Sequence, residues 1–272
     1  MSDRRLHVPE HLTDSAGQPW AGRTLKANPF AGDDGALRPG MAAALAVPDG
    51  GDRLVAVVEE MRTDRVLVPV VAHEHPGTDA EGHVAAHDRG AFRSDDPAGD
   101  ACASAAMVSV ATEDGRSALP VFSSLPAMLR WDRTARPVPV EATRAALSAV
   151  AETEGLVVLD PGADPAVLLP RPAVWALAQQ RPWTPSWADP GLPAVVARAL
   201  AGIEELVGVR LVRGAGPDRG GVPELRVMVA VAAGLERAAV QSALDRAGRA
   251  LAEDPEIRER VDSLELYPVA GA

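Results

Sequence analysis

The chain has 272 residues, 47% of them hydrophobic and 24% charged, which is long enough for one large or two modest domains with real cores and too apolar for a disordered chain. Its 38 acidic against 27 basic residues give a formal charge of -11, which argues against a nucleic-acid or anionic-membrane surface, because binding phosphates needs a concentrated positive face. The single cysteine, Cys102, excludes an intramolecular disulfide framework, and with no apolar run near the ~20 residues of a membrane span and no apolar signal core in MSDRRLHVPEHLTDSAG, the expected compartment is a reducing cytoplasm.

Residues 1–34 are polar, rich in Gly and Pro and aperiodic, and are expected to form a flexible arm. From Leu37 to Ala46 and from Arg53 to Met61 apolar residues recur at helical spacing around the break Pro48-Asp49-Gly50-Gly51, which predicts a helical hairpin. Arg65 to Val71 is rich in β-branched residues and reads as a strand, with Pro69 placing it near an edge or bulge. His73 to Asp100 reads as a long surface loop.

Met107 to Ala111 and Ser117 to Val121 flank TEDGR, and Asp-Gly between two apolar runs predicts a β-hairpin, since both turn positions tolerate positive φ. A helix over Leu125–Trp131, a strand over Val138–Val140, a helix over Glu141–Glu152, a strand over Leu156–Leu159, a turn at Asp160-Pro161-Gly162 and a helix over Pro172–Gln179 follow. RPWTPSWADPGLP then reads as a semi-rigid linker.

Beyond the linker a helix is expected over Ala194–Val207, with Val195, Val196, Leu200, Ile203 and Leu206 on one side. Strands over Val209–Val212 and Glu224–Val231 are joined by RGAGPDRGGVP, read as a flexible hairpin loop. A helix over Leu235–Leu251 and a strand over Ser263–Tyr267 close a two-layer α-β-β-α-β unit. The fold class is therefore α+β, with an arm (1–34), a mixed α/β domain (35–180), a linker (181–192) and a small α+β domain (193–272).

All six histidines precede residue 90. His73 and His75 follow a strand and share a face, as two ligands of one metal would, but the further histidines of a barrel-type metal site are lacking, so HEHPGTDAEGHVAAHD reads as a solvated loop and no metal is expected. Cys102 reads as a small buried thiol, because no base for a nucleophile is legible around it. The glycines of RGAGPDRGG open no helix and so form no dinucleotide fingerprint, no Walker A or G-x-S-x-G elbow occurs, and no cofactor is expected.

The strand-to-helix turn in ALPVFSSLPAMLRWD is the sharper case. Ser123 or Ser124 can N-cap the helix at Leu125, with Pro126 tolerated in its first turn; the free N–H groups there can also hold an anion, although the capping role outweighs that one. Phe122 is expected to enter the core, and so are Trp131 and Trp175. Trp183 and Trp187 suit either a domain-docking seam or a partner surface, and Val227–Val231 either an oligomer edge or a central strand.

DGRSALPVFSSLPAMLRWDRTARPVPV and EGLVVLDPGADPAVLLPRPAVWALAQQRPWTPS, preceded by NPFAGDDGAL and RVLVPVVA, resemble the SseB N-terminal domain in its actinobacterial form, over about residues 28 to 187. The C-terminal unit resembles the tail of the same proteins. The family name refers to enhanced serine sensitivity, a physiological label with no reaction attached, and the resemblance carries over no catalytic or cofactor residue. Phe122-Ser123 stands where the family has Phe-Thr, and Leu159-Asp160-Pro161 matches its strand and turn. The expectation is a non-enzymatic binding or regulatory protein linked to serine or amino-acid physiology, with a protein partner or small polar ligand near Phe122, Ser123, Ser124, Trp131, Asp160 and Arg171, and self-association as a homodimer. The alternative is a small-metabolite enzyme with Ser123, Ser124 and Arg171 around one pocket.

Overall fold

A short helix α1 (Pro39–Leu45) begins at a proline and gives way after Ala46 to a turn ending at Asp49. The Asp49 carboxylate accepts the N–H groups of Gly51 at 3.0 Å and Asp52 at 3.1 Å. This cap starts α2 (Gly50–Met61) before the apolar periodicity does, because orphan donors at a helix start are satisfied most readily by a side-chain oxygen. The structure, a computed structural model, describes residues 29–70 and 108–271. Residues 34–70 and 108–271 belong to one compact unit; residues 29–33 belong to another and form a turn closed by the Asp33 N–H on the Phe30 carbonyl at 3.0 Å.

Strand β1 (Arg65–Val70) pairs antiparallel with β4 (Arg136–Glu141), Pro69 facing Pro137. Two prolines meet here because the pair is a two-stranded ribbon, where missing donors leave few ladder bonds unmade. The predicted hairpin is β2 (Val110–Ala111) and β3 (Ser117–Val121), with Gly115 at φ 81 in the turn. Helix α3 (Leu125–Trp131), β4 and α4 (Ala142–Glu152) form the crossover from β3 to its parallel neighbour β5 (Leu156–Leu159). The sheet order is β2-β3-β5-β6, where β6 (Val167–Leu169) runs antiparallel to β5 and leads into α5 (Arg171–Ala178). Leu54, Val57, Met61, Leu119, Val121, Ala145, Ala149, Leu159, Val174 and Leu177 fill the core of this part.

After a 3₁₀ turn at Ser186–Ala188 come α6 (Leu192–Leu200), β7 (Leu206–Arg213), β8 (Leu225–Val231), α7 (Arg237–Glu253), α8 (Pro255–Arg260) and β9 (Leu264–Ala270). In the sheet β7-β8-β9, β8 pairs antiparallel with β7 and parallel with β9. Leu192, Val196, Leu225, Val227, Val229, Ala243, Ala247 and Leu251 form a second core. Trp187 packs against both cores, with Trp183 edge-on to it at 6.1 Å. Of the two roles open to these tryptophans, the seam is the one their packing fits.

Several expectations are corrected. β6, the 3₁₀ turn and α8 were not foreseen, and the C-terminal unit is α-β-β-α-α-β. α6 stops at Leu200 because Gly202 follows at once, and Ile203 reaches the core from a turn. β8 is the central strand, so Val227–Val231 is no edge. The loop 213–221 is pinned: Arg53 Nε and Nη2 both donate to Asp218 Oδ2, at 3.0 and 2.8 Å, and the Asp218 carbonyl accepts the Leu168 N–H at 2.9 Å. Trp175 stands 46% exposed rather than in the core. The arm up to residue 28, the histidine-rich stretch 73–87 and Cys102 lie outside the described residues.

Candidate functional site

The turn after β3 is held by hydrogen bonds at several of its polar groups. Phe122, fully buried, exchanges backbone hydrogen bonds with Leu67 at 2.9 and 2.8 Å and rests against Trp131, with ring centroids 5.3 Å apart. The Ser123 N–H donates to Asp160 Oδ1 at 2.8 Å and its hydroxyl to Asp160 Oδ2 at 2.5 Å, while its carbonyl accepts Arg65 Nη1 at 2.8 Å. Ser124 Oγ caps α3 by accepting the Ala127 N–H at 3.3 Å, and the Leu125 N–H donates to the Gly35 carbonyl at 2.7 Å.

Asp160 adopts φ 52, a left-handed conformation that Asp tolerates better than most residues, so its carboxylate faces the turn from the end of β5. Burial pushes the Asp160 carboxyl above its ordinary value, although both Ser123 hydrogen bonds and the Arg130 charge pull the other way. Chemically this is a lock between two parallel strands. Five of the six predicted site residues, Phe122, Ser123, Ser124, Trp131 and Asp160, gather at it.

Arg171 stands apart from them, at the start of α5. Its Nη2 donates to the carbonyls of Arg258 at 2.5 Å and Val261 at 3.1 Å, tying the end of α8 to α5. Beside it lies a cleft of about 410 Å³ lined by Arg171, Pro172, Trp175, Gln179, Arg181 and Arg258 among others, with none of the five turn residues in its wall. Arg181 and Arg258 are exposed and, among the described residues, make no side-chain hydrogen bond or ion pair. The Arg181 backbone is fixed, because its N–H closes the end of α5 on the Ala176 carbonyl at 2.8 Å while Gln180 takes φ 57, the Schellman geometry that glycine usually supplies.

A second, smaller cleft of about 160 Å³ is lined by Arg116, Leu168, Arg219, Glu224, Asp262 and Ser263 among others. Glu224 is 2% exposed; its Oε1 accepts the Asp262 N–H at 2.9 Å, while its Oε2 and the buried Ser186 hydroxyl make no hydrogen bond of good geometry among the described residues. Burial pushes the Glu224 carboxyl up to about 7, the neighbouring Asp262 carboxylate adding to the shift against the Asp262 N–H, the nearby Ser186 hydroxyl and the Arg171 charge. Arg116 neutralises Asp262, with Nη1 at 2.9 and 3.0 Å from its two oxygens. Among the described residues no group of three or more His, Cys, Asp or Glu is placed to hold a metal ion, and no helix is long and apolar enough to cross a membrane.

Trp175, expected in the core, and Arg181, Arg258 and Glu224 were not singled out as site residues from the sequence. For Trp175 the signal was present: Ala173, Val174 and Leu177 carry the inward stripe of α5, so Arg171, Trp175 and Gln179, four apart, share the outer face. Nothing in the local sequence brings Arg258 to that face, because the contact crosses the linker and the whole second core.

The SseB protein N-terminal domain is the family whose model this sequence matches, over residues 40–176. No curated protein and no solved structure matches the chain.

Proposed function

The chain belongs to the SseB family, and from that premise we propose that it is a cytoplasmic, non-enzymatic binding or regulatory protein whose small polar ligand enters the cleft beside Arg171 and Trp175, in line with a role in serine or amino-acid physiology. One observation carries this reading. The hydroxyls that the enzyme alternative needs are committed, Ser123 to Asp160 and Ser124 to the cap of α3, whereas the cleft leaves an indole and two guanidinium groups open. A nucleophile needs a base within hydrogen-bond reach and room for substrate; Ser123 has a carboxylate partner but is itself buried. Arg171 does not converge with the serines, since its partners are carbonyls of α8 and the residue after it.

The test is a thermal-shift panel of amino acids, small carboxylates and sugar phosphates on the full chain, because a ligand of the native state raises apparent stability by mass action. The expected result is a saturable rise with one class that disappears in Trp175→Ala, a change at an exposed position that leaves the cores intact. Conversion of that ligand to a product, followed by mass spectrometry, would overturn the non-enzymatic reading. A shift abolished by Ser123→Ala but not by Trp175→Ala would move the site to the turn.

A further inference from the structure

Resting on the reading of the Arg171–Trp175 cleft as a ligand site, we propose that its ligand is a small organic anion, with a carboxylate or phosphate held between Arg181 and Arg258 and a planar or apolar body against the Trp175 indole. The protein as a whole carries a formal charge of -11. Three guanidinium groups, Arg171, Arg181 and Arg258, nevertheless face one cleft where, among the described residues, Glu259 is the only carboxylate. Such a local reversal of sign steers and retains an anion that the rest of the surface repels.

Each wall has its own means of support. Arg171 draws the end of α8 against α5 through two carbonyls, which fixes the backbone carrying Arg258, and the left-handed Gln180 fixes the backbone carrying Arg181. Arg171 is therefore a positioning residue that also adds positive charge, while Arg181 and Arg258 keep their donors unengaged. Planar guanidinium forks match the oxygens of carboxylates and phosphates, and such charge-assisted bonds are the strong ones. Pro172, Ala176 and Pro182 complete the apolar side of a cleft of about 410 Å³, within the range of small-molecule sites. The half-exposed Trp175 offers an aromatic face that, among the described residues, no other ring covers.

The experiment titrates the full chain with benzoate, phenyl phosphate, benzylamine and benzyl alcohol, which share a ring and differ in charge. Binding is read by calorimetry and by tryptophan fluorescence. Benzoate or phenyl phosphate is expected to bind saturably, at least tenfold more tightly than benzylamine, with a fluorescence change lost in Trp175→Phe. The double variant Arg181→Gln/Arg258→Gln is expected to weaken the preferred anion by on the order of tenfold or more, the loss of one charge-assisted contact or more. A preference for phenyl phosphate assigns a phosphate ligand, and a preference for benzoate a carboxylate. Benzylamine or benzyl alcohol binding as tightly as the anions, with the Trp175 dependence intact, would overturn the anion class and leave the cleft reading standing. An unchanged anion affinity in the double glutamine variant would also overturn it. Absence of binding by all four probes overturns the anion class too, and the thermal-shift panel then decides the cleft separately.

Discussion

The Asp262 N–H donates to Glu224 Oε1 at 2.9 Å while the Asp262 carboxylate is held by Arg116 on the β2–β3 hairpin. Glu224 is thus given a donor on one oxygen, left without one of good geometry on the other, and set beside a second carboxylate in a buried place. Its carboxyl lies near 7 in the folded chain against an ordinary 4.5. Between those values the folded state holds a proton that the unfolded state has released, so stability falls as pH rises through the window and stays low above it. The contribution is on the order of 3 kcal/mol across the full interval. Urea midpoints measured from pH 5 to 8 should fall, and Glu224→Gln, which keeps the acceptor for Asp262 and cannot ionise, should flatten the slope. An equal slope in the variant would assign the pH dependence to other groups.

Arg53 and Asp218 form the most buried described ion pair, with side chains 11% and 1% exposed. Removing one partner strands the other, at a cost of about 3 to 5 kcal/mol, whereas losing both costs less because no unpaired charge remains. Arg53→Ala should therefore destabilise strongly, since Asp218 Oδ1 already has no partner. The Arg53→Ala/Asp218→Ala double variant should be less destabilised than the sum of the two single changes. Additive losses in chemical denaturation would mean that the pair contributes no coupling.

What could be read in advance follows physical range. The Asp114-Gly115 hairpin, a serine cap at the start of α3 and the apolar stripe of α2 are local, set by residues within a few positions, and the sequence showed them. The Asp254-Pro255 start of α8 was equally local: the Asp254 carboxylate accepts the Glu256 and Ile257 N–H groups at 2.9 and 3.0 Å. It was missed because a second short helix directly after α7 broke the expected alternation. β6 has three residues and pairs only with β5, too short for a periodic signal. The cleft was illegible for another reason. Arg171 and Arg258 are 87 positions apart, and only the packing of both cores brings them together.

Ser123 and Ser124 stand next to each other yet should respond differently to alanine. Ser124→Ala removes a cap from a seven-residue helix, a loss of about 1 kcal/mol. Ser123→Ala removes the hydroxyl hydrogen bond to a buried carboxylate, for which about 1 to 3 kcal/mol is expected. Asp160→Asn in the Ser123→Ala background should recover part of the loss by removing the charge. Equal costs for the two alanine variants would remove the lock between β3 and β5 as a stabilising element.

Trp187 touches both hydrophobic cores and stacks edge-on with Trp183 at 6.1 Å. Around this seam Arg53–Asp218, Arg116–Asp262 and Arg171 with the α8 carbonyls each cross from the residues before the linker to those after it. Units so coupled unfold together when the free energy of their contact exceeds the difference between their own stabilities. The wild-type chain should therefore show one transition, coincident by circular dichroism and fluorescence. Trp187→Ala deletes shared apolar surface and should cost about 3 kcal/mol, the low end for a large aromatic because Trp187 is only partly buried. In that variant the two probes should separate, since the shared apolar surface that couples the two cores is removed. Two resolved transitions already present in the wild type would show that residues 193–272 unfold on their own, and the ion pairs that cross the linker would then couple the two parts only weakly.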